Sequence, residues 1–275
     1  MKKLFALVLV MLLLAGCAPK EETKSGPIVA ATTAPVARFT EAIAAGTDLQ
    51  VECVVTEAVS CLHDYTLSVQ QMALLEQADT VIISGMGLEH FMEDILPEDA
   101  IDASGGVAEP IENDPHYWLD PVRAGEMALH ICAELSARYP QYAETFGENN
   151  AKLQDRFLYW QVYAQEQLAG ISAPGLVTFH DGFGYFADFV EVPILAAMEV
   201  EAGSEPAAKD LMDMIDLVKN SGLPAVFTEV NGSRSAADII HRETGCNVFD
   251  LDMAMSNDYF IAMEHNIEAI REAFS

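Results

Sequence analysis

The sequence has few basic residues. Its 275 residues include 14 Lys and Arg against 43 Asp and Glu, which gives a formal net charge of −29 at pH 7. A chain of this charge repels phosphate backbones and anionic membrane surfaces, so nucleic acid is not expected as a partner. The same charge concentrates cations around the protein and favours a cation as ligand, although acidic extracellular proteins also carry it for solubility alone.

Two familiar zinc motifs are also missing. The five cysteines form no CxxC pair, which argues against a cysteine-rich zinc site. The HExxH motif of one class of zinc hydrolases is absent, and no nucleophile motif is present. Cys132 lies in an apolar helical pattern and Cys246 at the start of an apolar stretch, so both are interpreted as small buried hydrophobic residues.

The N-terminal apolar run is shorter than a membrane span. Two lysines precede an apolar run at residues 4–14, whereas a spanning helix needs about 20 apolar residues. This pattern is typical of a secretory signal. The run ends in Leu-Ala-Gly-Cys17, which resembles a lipobox. We expect a lipoprotein signal peptide at 1–16, lipidation of Cys17 and a flexible tether at 17–26. The alternative is an ordinary signal with an incidental cysteine.

An exported protein can form disulfides. Cys53 and Cys61 lie between the second predicted strand and the loop that contains His63. A bridge between them would restrain that loop. The alternative is a buried Cys53 and a free Cys61.

From residue 27 onward, strand patterns alternate with helix patterns, which is typical of an α/β fold with parallel sheets. Predicted strands occupy 27–33, 49–56, 80–85, 176–179, 192–198, 224–229 and 247–251, and predicted helices occupy 34–46, 68–78, 89–96, 121–139, 206–220, 233–244 and 258–274.

Between Pro140 and Gly170 a helical pattern without proline continues, and Gly147 is expected to interrupt it near its start. The predicted organisation is an N-terminal α/β lobe at 27–139, a long connecting helix at 140–170 and a C-terminal α/β lobe at 171–275. Each lobe is expected to contain four strands and four helices, of which the patterns above locate seven strands and seven helices. The segment 97–115 is expected to be irregular.

Three histidines stand in loops or at strand ends. His180 follows the strand LVTF in LVTFHDGFGYF (176–186), His63 lies in SCLHDY and His116 in NDPHYWLDP. A histidine at the carboxyl end of a strand is well placed to contact a ligand, although a single one is more often a hydrogen-bonded structural residue. Together the three predict a metal site. Because they come from both halves of the chain, the site is expected between the lobes.

The motifs resemble those of a known family. HDY at 63–65, DPHYWLDP at 114–121, FHDGFGYF at 179–186 and ETGCNVFDLD at 243–252 are similar to motifs of the cluster A-I solute-binding proteins, the metal-binding lipoproteins of bacterial ABC importers for zinc and manganese. The similarity extends over essentially the whole chain from residue 27. It implies two α/β lobes joined by one long rigid helix, with the metal in the cleft between them. The ligands that it implies are His63, His116, His180 and Asp252.

The carboxylate ligand has alternatives in the sequence. Asp252 follows the strand NVFDL, where a helix cap or turn residue is the alternative, and Glu229 at the end of PAVFTE competes with it. Asp64 and Asp181, together with Glu229, are candidates to orient the imidazoles. The remaining four histidines are interpreted as structural or exposed; they are His90, His130, His241 and His265.

Three departures from the family pattern concern metal choice and loop structure. The region 97–113 contains no histidine, which excludes metal scavenging by a His-rich loop there. The turn before His63 contains Cys61 and lacks the usual proline and glycine. The segment MAMSND after Asp252 has methionines where zinc-specific members often have proline and leucine, so it does not help to identify the metal.

Three imidazoles and one carboxylate suit a closed tetrahedral zinc site. The predicted function is therefore that of a monomeric binding protein, not an enzyme, which is held at the membrane by lipidated Cys17 and delivers Zn²⁺, or alternatively Mn²⁺, to an ABC permease. A zinc hydrolase is the alternative of another class, with Asp64 or Asp181 as base. A surface adhesin stabilised by metal is a third, but no extra adhesive segment is visible.

Overall fold

The computed structural model describes residues 26–57, 62, 65–198, 207–255 and 258–275. The predicted signal peptide, its lipidation site Cys17, and Cys61, His63 and Asp64 lie outside the described residues. Across the described ranges, no helix combines the length and apolar character needed to cross a membrane.

The N-terminal lobe is built on a parallel sheet. Its strands are β1 (Ile28–Ala31), β2 (Gln50–Cys53), β3 (Thr80–Ile83) and β4 (Ile101–Asp102), in the order β2-β1-β3-β4. All three pairings are parallel. The strand β4 lies in the segment that the sequence predicted to be irregular, because two residues are too few to show a strand pattern. Helices α1 (Ala34–Ala44), α2 (Val69–Gln77) and α3 (Pro121–Arg138) complete the lobe.

The predicted start of α2 is confirmed. Ser68 accepts a hydrogen bond from the backbone N–H of Gln71, and the Gln71 side chain accepts one from the backbone N–H of Ser68. This reciprocal capping box satisfies two donors that the first helical turn leaves without partners.

The α-helix predicted at 89–96 is instead a 3₁₀ helix, Leu88–Ile95, with non-helical backbone angles at Glu89. The carboxylate of Glu89 points inward and accepts hydrogen bonds from the hydroxyl of Thr32 and from the backbone N–H groups of Ser84 and Gly85. These contacts fix Glu89 at the carboxyl end of β3, which is incompatible with a regular α-helical start.

A single long helix, α4 (Ala143–Gln167), connects the lobes. Its 25 residues span about 37 Å. The helix continues through Gly147, so the predicted interruption there is wrong; a methyl group added at Gly147 would meet no atom within 4 Å. Phe157 contacts Phe39 of α1 on one side and Tyr259 on the other, with ring centroids 5.2 and 5.7 Å apart.

The C-terminal lobe repeats the architecture. Its strands are β5 (Leu176–Thr178), β6 (Ile194–Ala197), β7 (Ala225–Glu229) and β8 (Asn247–Leu251), in the order β6-β5-β7-β8 with parallel pairing throughout. Its helices are α5 (Gly184–Phe189), α6 (Ala208–Ser221), α7 (Ser235–Thr244) and α8 (Tyr259–Phe274). The predicted fold class, two α/β lobes with parallel four-stranded sheets and a long helix, is confirmed.

One hydrophobic core extends through both lobes. It includes Val29 and Phe39 of the first lobe, Phe157 of the connecting helix, and Phe227 and Met263 of the second lobe. Because close-packed interiors resist deformation, a core shared in this way favours a fixed arrangement of the lobes. The residue boundaries of the two lobes stay a prediction.

Candidate metal centre

Three buried polar residues lie at the carboxyl ends of neighbouring strands of the C-terminal sheet. His180 lies two residues after β5, Glu229 ends β7, and Asp252 directly follows β8. These three strands are neighbours and run in the same direction, so their carboxyl ends share an edge. All three residues are less than a tenth exposed. Polar groups collected in a buried position at the carboxyl ends of parallel strands are typical of a ligand site.

The N-terminal lobe contributes His116 to the same place. His116 directly precedes the short 3₁₀ helix Tyr117–Leu119 and is 6% exposed. Its ring centroid lies 5.1 Å from that of His180, with the two ring planes inclined at 79°. Two imidazoles from opposite lobes therefore lie side by side, which brings together two of the predicted ligands.

A neighbouring carboxylate orients the imidazole of His116. Oδ1 of Asp114 lies 2.9 Å from Nδ1 of His116 and accepts a hydrogen bond from its backbone N–H at the same distance. A carboxylate only accepts hydrogen bonds, so Nδ1 carries the hydrogen and Nε2 is the nitrogen available to a metal. The backbone contact is an Asx-turn, in which an Asp side chain binds the N–H two residues on.

Glu229 provides a buried carboxylate beside His180. Its Oε1 lies 3.9 Å from Nδ1 of His180. Burial raises the pKa of Glu229 to about 7. Within the described ranges, Oε2 of Glu229 has no hydrogen-bond partner. A buried acceptor with no donor is costly, and a bound cation would offset that cost, so this residue fits a metal centre.

Asp252 is held by its surroundings. Its Oδ1 accepts a hydrogen bond from the backbone N–H of Ala254 at 2.8 Å. Asn266 of α8 contacts both backbone polar groups of Asp252, at 2.6 and 2.9 Å. The next carbonyl, that of Met253, accepts a hydrogen bond from the indole N–H of Trp118 at 2.9 Å. This bond links the loop of Asp252 directly to the segment that carries His116.

The imidazoles also enclose a glycine. A methyl group added at Gly182 would lie 2.7 Å from Nδ1 of His116 and 2.6 Å from Cδ2 of His180. No side chain fits at this position without moving the rings. The sequence shows the glycine in HDGFGYF, but only the structure shows why a glycine is needed there: the imidazoles of both lobes approach it too closely for a side chain.

The predicted fourth ligand, His63, and its neighbour Asp64 lie outside the described residues. Among the residues that are described, no three His, Cys, Asp or Glu side chains form a group able to hold a metal on their own. The full ligand set therefore stays a prediction. Asp181, predicted to orient an imidazole, is exposed. Glu229, predicted for the same role, lies 3.9 Å from Nδ1 of His180. The imidazole of His116 is bound by Asp114, a residue that was not predicted from the sequence.

The other histidines have local partners. His90 is exposed and lies beside Glu93, and His130 packs against Gly105. His241 lies 2.6 Å from the carbonyl oxygen of Cys246, and His265 lies 2.9 Å from that of Asp250. These contacts agree with structural or surface roles.

Cys53 donates a hydrogen bond from its thiol to the carbonyl oxygen of Val55. Burial raises its pKa to about 11, so the thiol is a poor nucleophile at neutral pH. The proposed partner Cys61 lies outside the described residues, and the bridge stays a prediction.

The chain was compared with known families and relatives. The family model described as zinc-uptake complex component A, periplasmic (ZnuA), matches residues 29–273. The zinc-binding lipoprotein AdcA of Streptococcus pneumoniae serotype 4 is 25% identical over 307 residues, which cover 99% of this chain and 61% of AdcA. The chain thus spans about three fifths of the length of that relative. The manganese-binding lipoprotein MntA of Bacillus subtilis is 27% identical over 245 residues, covering 82% of this chain and 79% of MntA.

Solved structures show the same fold. A crystal structure of ZnuA has a TM-score of 0.80 and 25% identity, over 91% of this chain and all of that one. The Zn(II)-bound ZnuA-like domain of Streptococcus pneumoniae AdcA has a TM-score of 0.79 and 26% identity, over 90% of this chain and 99% of the domain.

Proposed function

The chain belongs to the zinc-uptake complex component A family, and from its site we propose that it captures a divalent transition metal between its lobes and delivers it to an ABC permease. The family is one of solute-binding transport proteins. The proposed ligands are His63, His116 and His180 with a carboxylate, Asp252, while Glu229 is the alternative carboxylate.

One observation carries the proposal. The buried imidazoles of His116 and His180 come from different lobes and lie with their ring centroids 5.1 Å apart, next to the buried carboxylate of Glu229. Within the described residues, Oε2 of Glu229 is buried without a hydrogen-bond partner, which is costly. A cation held beside this carboxylate by both imidazoles would offset that cost and at the same time join the lobes.

Zinc is the proposed metal, since imidazole suits zinc and oxygen-rich sites suit manganese. Both kinds of relative exist: AdcA is named zinc-binding and MntA manganese-binding. His180 favours zinc for this chain, because it supplies a nitrogen ligand. A carboxylate at this position would instead supply oxygen, which suits manganese better. Manganese is the second candidate.

Attachment to the membrane is proposed through a lipid on Cys17. The lipobox-like sequence before this residue supports the proposal, as does the word lipoprotein in the names of two relatives. The protein is proposed to act as a monomer outside the cytoplasm.

The test is calorimetric titration of the metal-free protein with Zn²⁺. Alanine at His63, His116 or His180 should weaken binding by orders of magnitude, because each loss leaves the metal one ligand short. Asp252→Ala should weaken it less, since water or Glu229 can supply one oxygen. The matched controls are alanine substitutions of the four remaining histidines, which should bind as the parent does; they are His90, His130, His241 and His265.

Two outcomes would contradict the proposal. If any one of the three ligand histidines proves dispensable, or if His90 proves essential, the ligand set is wrong. If Mn²⁺ is retained against equimolar Zn²⁺, the metal assignment is wrong while the site remains.

A further inference from the structure

Asp114 is the only carboxylate in the described ranges that is seen to bind both of the segments that carry a buried histidine of the site. Its Oδ1 contacts the backbone N–H and Nδ1 of His116, each at 2.9 Å. Its Oδ2 accepts a hydrogen bond from the backbone N–H of Gly184 at 3.1 Å. Gly184 belongs to the opposite lobe and lies four residues after His180.

The geometry demands a carboxylate at this position. Asp114 receives three N–H donors, and its residue is 8% exposed. An amide of the same shape offers one oxygen and one NH₂ group. If its oxygen faced His116, its NH₂ would face the N–H of Gly184, and that bond between the lobes would be lost. If its NH₂ faced His116, the bond from the backbone N–H of His116 would be lost, Nδ1 would become the acceptor and the hydrogen would move to Nε2.

The second arrangement would block metal binding directly. A metal needs a nitrogen lone pair, and Nε2 with a hydrogen attached has none to offer. The carboxylate therefore determines both which nitrogen of His116 is available and how far the His116 segment lies from the His180 segment.

Two neighbouring hydrogen bonds also hold the segment 111–118 against the C-terminal lobe. The backbone N–H of Ile111 donates to the hydroxyl of Tyr185 at 2.8 Å, and Trp118 donates to the carbonyl of Met253 at 2.9 Å. Asp114 lies between Ile111 and Trp118 in the sequence. Three hydrogen bonds between the lobes thus come from residues 111–118.

We propose that Asp114 is a positioning residue for metal capture, which joins the two histidine segments across the cleft and keeps Nε2 of His116 free of hydrogen. This inference rests on the proposed function, because it assumes that His116 and His180 bind the metal. Carboxylates that orient metal-binding histidines commonly change metal affinity by about 10- to 100-fold when mutated.

The first experiment compares Asp114→Asn with Asp188→Asn. Both replace one carboxylate by an amide, but Asp188 is an exposed residue of α5. Zn²⁺ affinity should fall by about 10- to 100-fold in Asp114→Asn and stay unchanged in Asp188→Asn. The nitrogen-15 shifts of the His116 imidazole, measured in metal-free protein, should show the Nε2–H form rising only in Asp114→Asn.

A second variant, Gly184→Ala, keeps the carboxylate. The added methyl group would lie 2.7 Å from Oδ2 of Asp114 and would force the two segments apart. Alanine is favoured over glycine within helices, and Gly184 is the first residue of α5, so the helix itself should not weaken. Zn²⁺ affinity should fall while the shifts of His116 keep the parent pattern.

The outcomes separate the inference from the proposed function. If Asp114→Asn and Gly184→Ala are folded by circular dichroism and bind Zn²⁺ as the parent does, Asp114 has no positioning role, although His116→Ala may still abolish binding. If affinity falls in Asp114→Asn but the His116 shifts are unchanged, control of the tautomer is refuted. If the parent protein binds no metal at all, the proposed function fails first.

Discussion

Replacing Gly182 by alanine should damage the metal site while leaving the rest of the fold in place. The new methyl carbon would lie 2.7 Å from Nδ1 of His116, 2.7 Å from Nε2 of His180 and 2.6 Å from Cδ2 of His180. Atoms of this kind normally approach to about 3.5 Å. The rings, or the backbone between them, must therefore move by roughly 0.8 Å.

That displacement is large on the scale of metal coordination. Ligand distances in a metal site are set within about 0.2 Å, and His116 cannot simply turn away, because Asp114 holds its Nδ1 and Trp118 packs on its ring. We expect Zn²⁺ affinity to fall by at least about 10-fold. The overpacking should also lower the free energy of unfolding by about 1–3 kcal/mol.

Gly147→Ala is the matched control. It makes the same chemical change, but its methyl group would meet no atom within 4 Å, inside the long helix α4. It should leave Zn²⁺ affinity unchanged and raise the free energy of unfolding by about 0.5–1 kcal/mol. Calorimetric titration and urea unfolding of both variants check this. Parent-like affinity in Gly182→Ala would refute the view that the two imidazoles bind the metal from their present positions.

Sequence patterns predicted most of the fold because the signals are local. The strand NVFDL is found at its predicted residues, Asn247–Leu251, since an apolar run between two helix patterns leaves little choice of boundary. Helix α8 likewise begins and ends within a residue of its prediction. Alternation of strands and helices then predicts parallel sheets, because a parallel connection needs a crossover.

The failures have tertiary causes. Glu89 lies in a pattern that favours an α-helix, yet its buried hydrogen bonds to Thr32 and Ser84 produce a 3₁₀ helix instead. Gly147 lowers helix propensity by about 1 kcal/mol, but α4 packs on helices of both lobes and continues through it. The strand β4 depends on pairing with β3 at two positions only, which no sequence pattern reveals.

In the candidate site too, local sequence patterns were predicted and tertiary contacts were not. His116 and His180 could be singled out because a histidine at a strand end or in a loop is recognisable from the sequence alone. The role of Asp114 was not visible, since its second oxygen binds Gly184, 70 residues away. Adjacency in sequence pointed to Asp181 instead, and that side chain is exposed.

Two further predictions concern Trp118 and Asp120. Trp118→Phe removes the donor to the buried carbonyl of Met253, so urea unfolding should show a loss of about 1–3 kcal/mol; Trp160→Phe, which keeps a ring against Phe260, should cost less, and equal losses would contradict the reasoning. Asp120→Asn should stabilise the protein above about pH 6 and not below about pH 4, because burial raises the pKa of Asp120 to about 6.

The sign follows from proton binding to Asp120. The folded carboxyl, with a pKa of about 6, holds its proton more tightly than an unfolded one near 3.8, so stability falls as the pH rises between these values. Burial outweighs the opposing hydrogen bond from Val122 at 2.7 Å and the charge of Arg123. Two pKa units correspond to about 3 kcal/mol, which is an upper figure for a side chain that is 15% exposed.

Asparagine keeps the helix cap without the charge. Urea unfolding of parent and variant from about pH 4 to 8 should give a difference that grows up to about pH 6 and then stays level; a constant difference would show that the buried charge of Asp120 does not destabilise the fold.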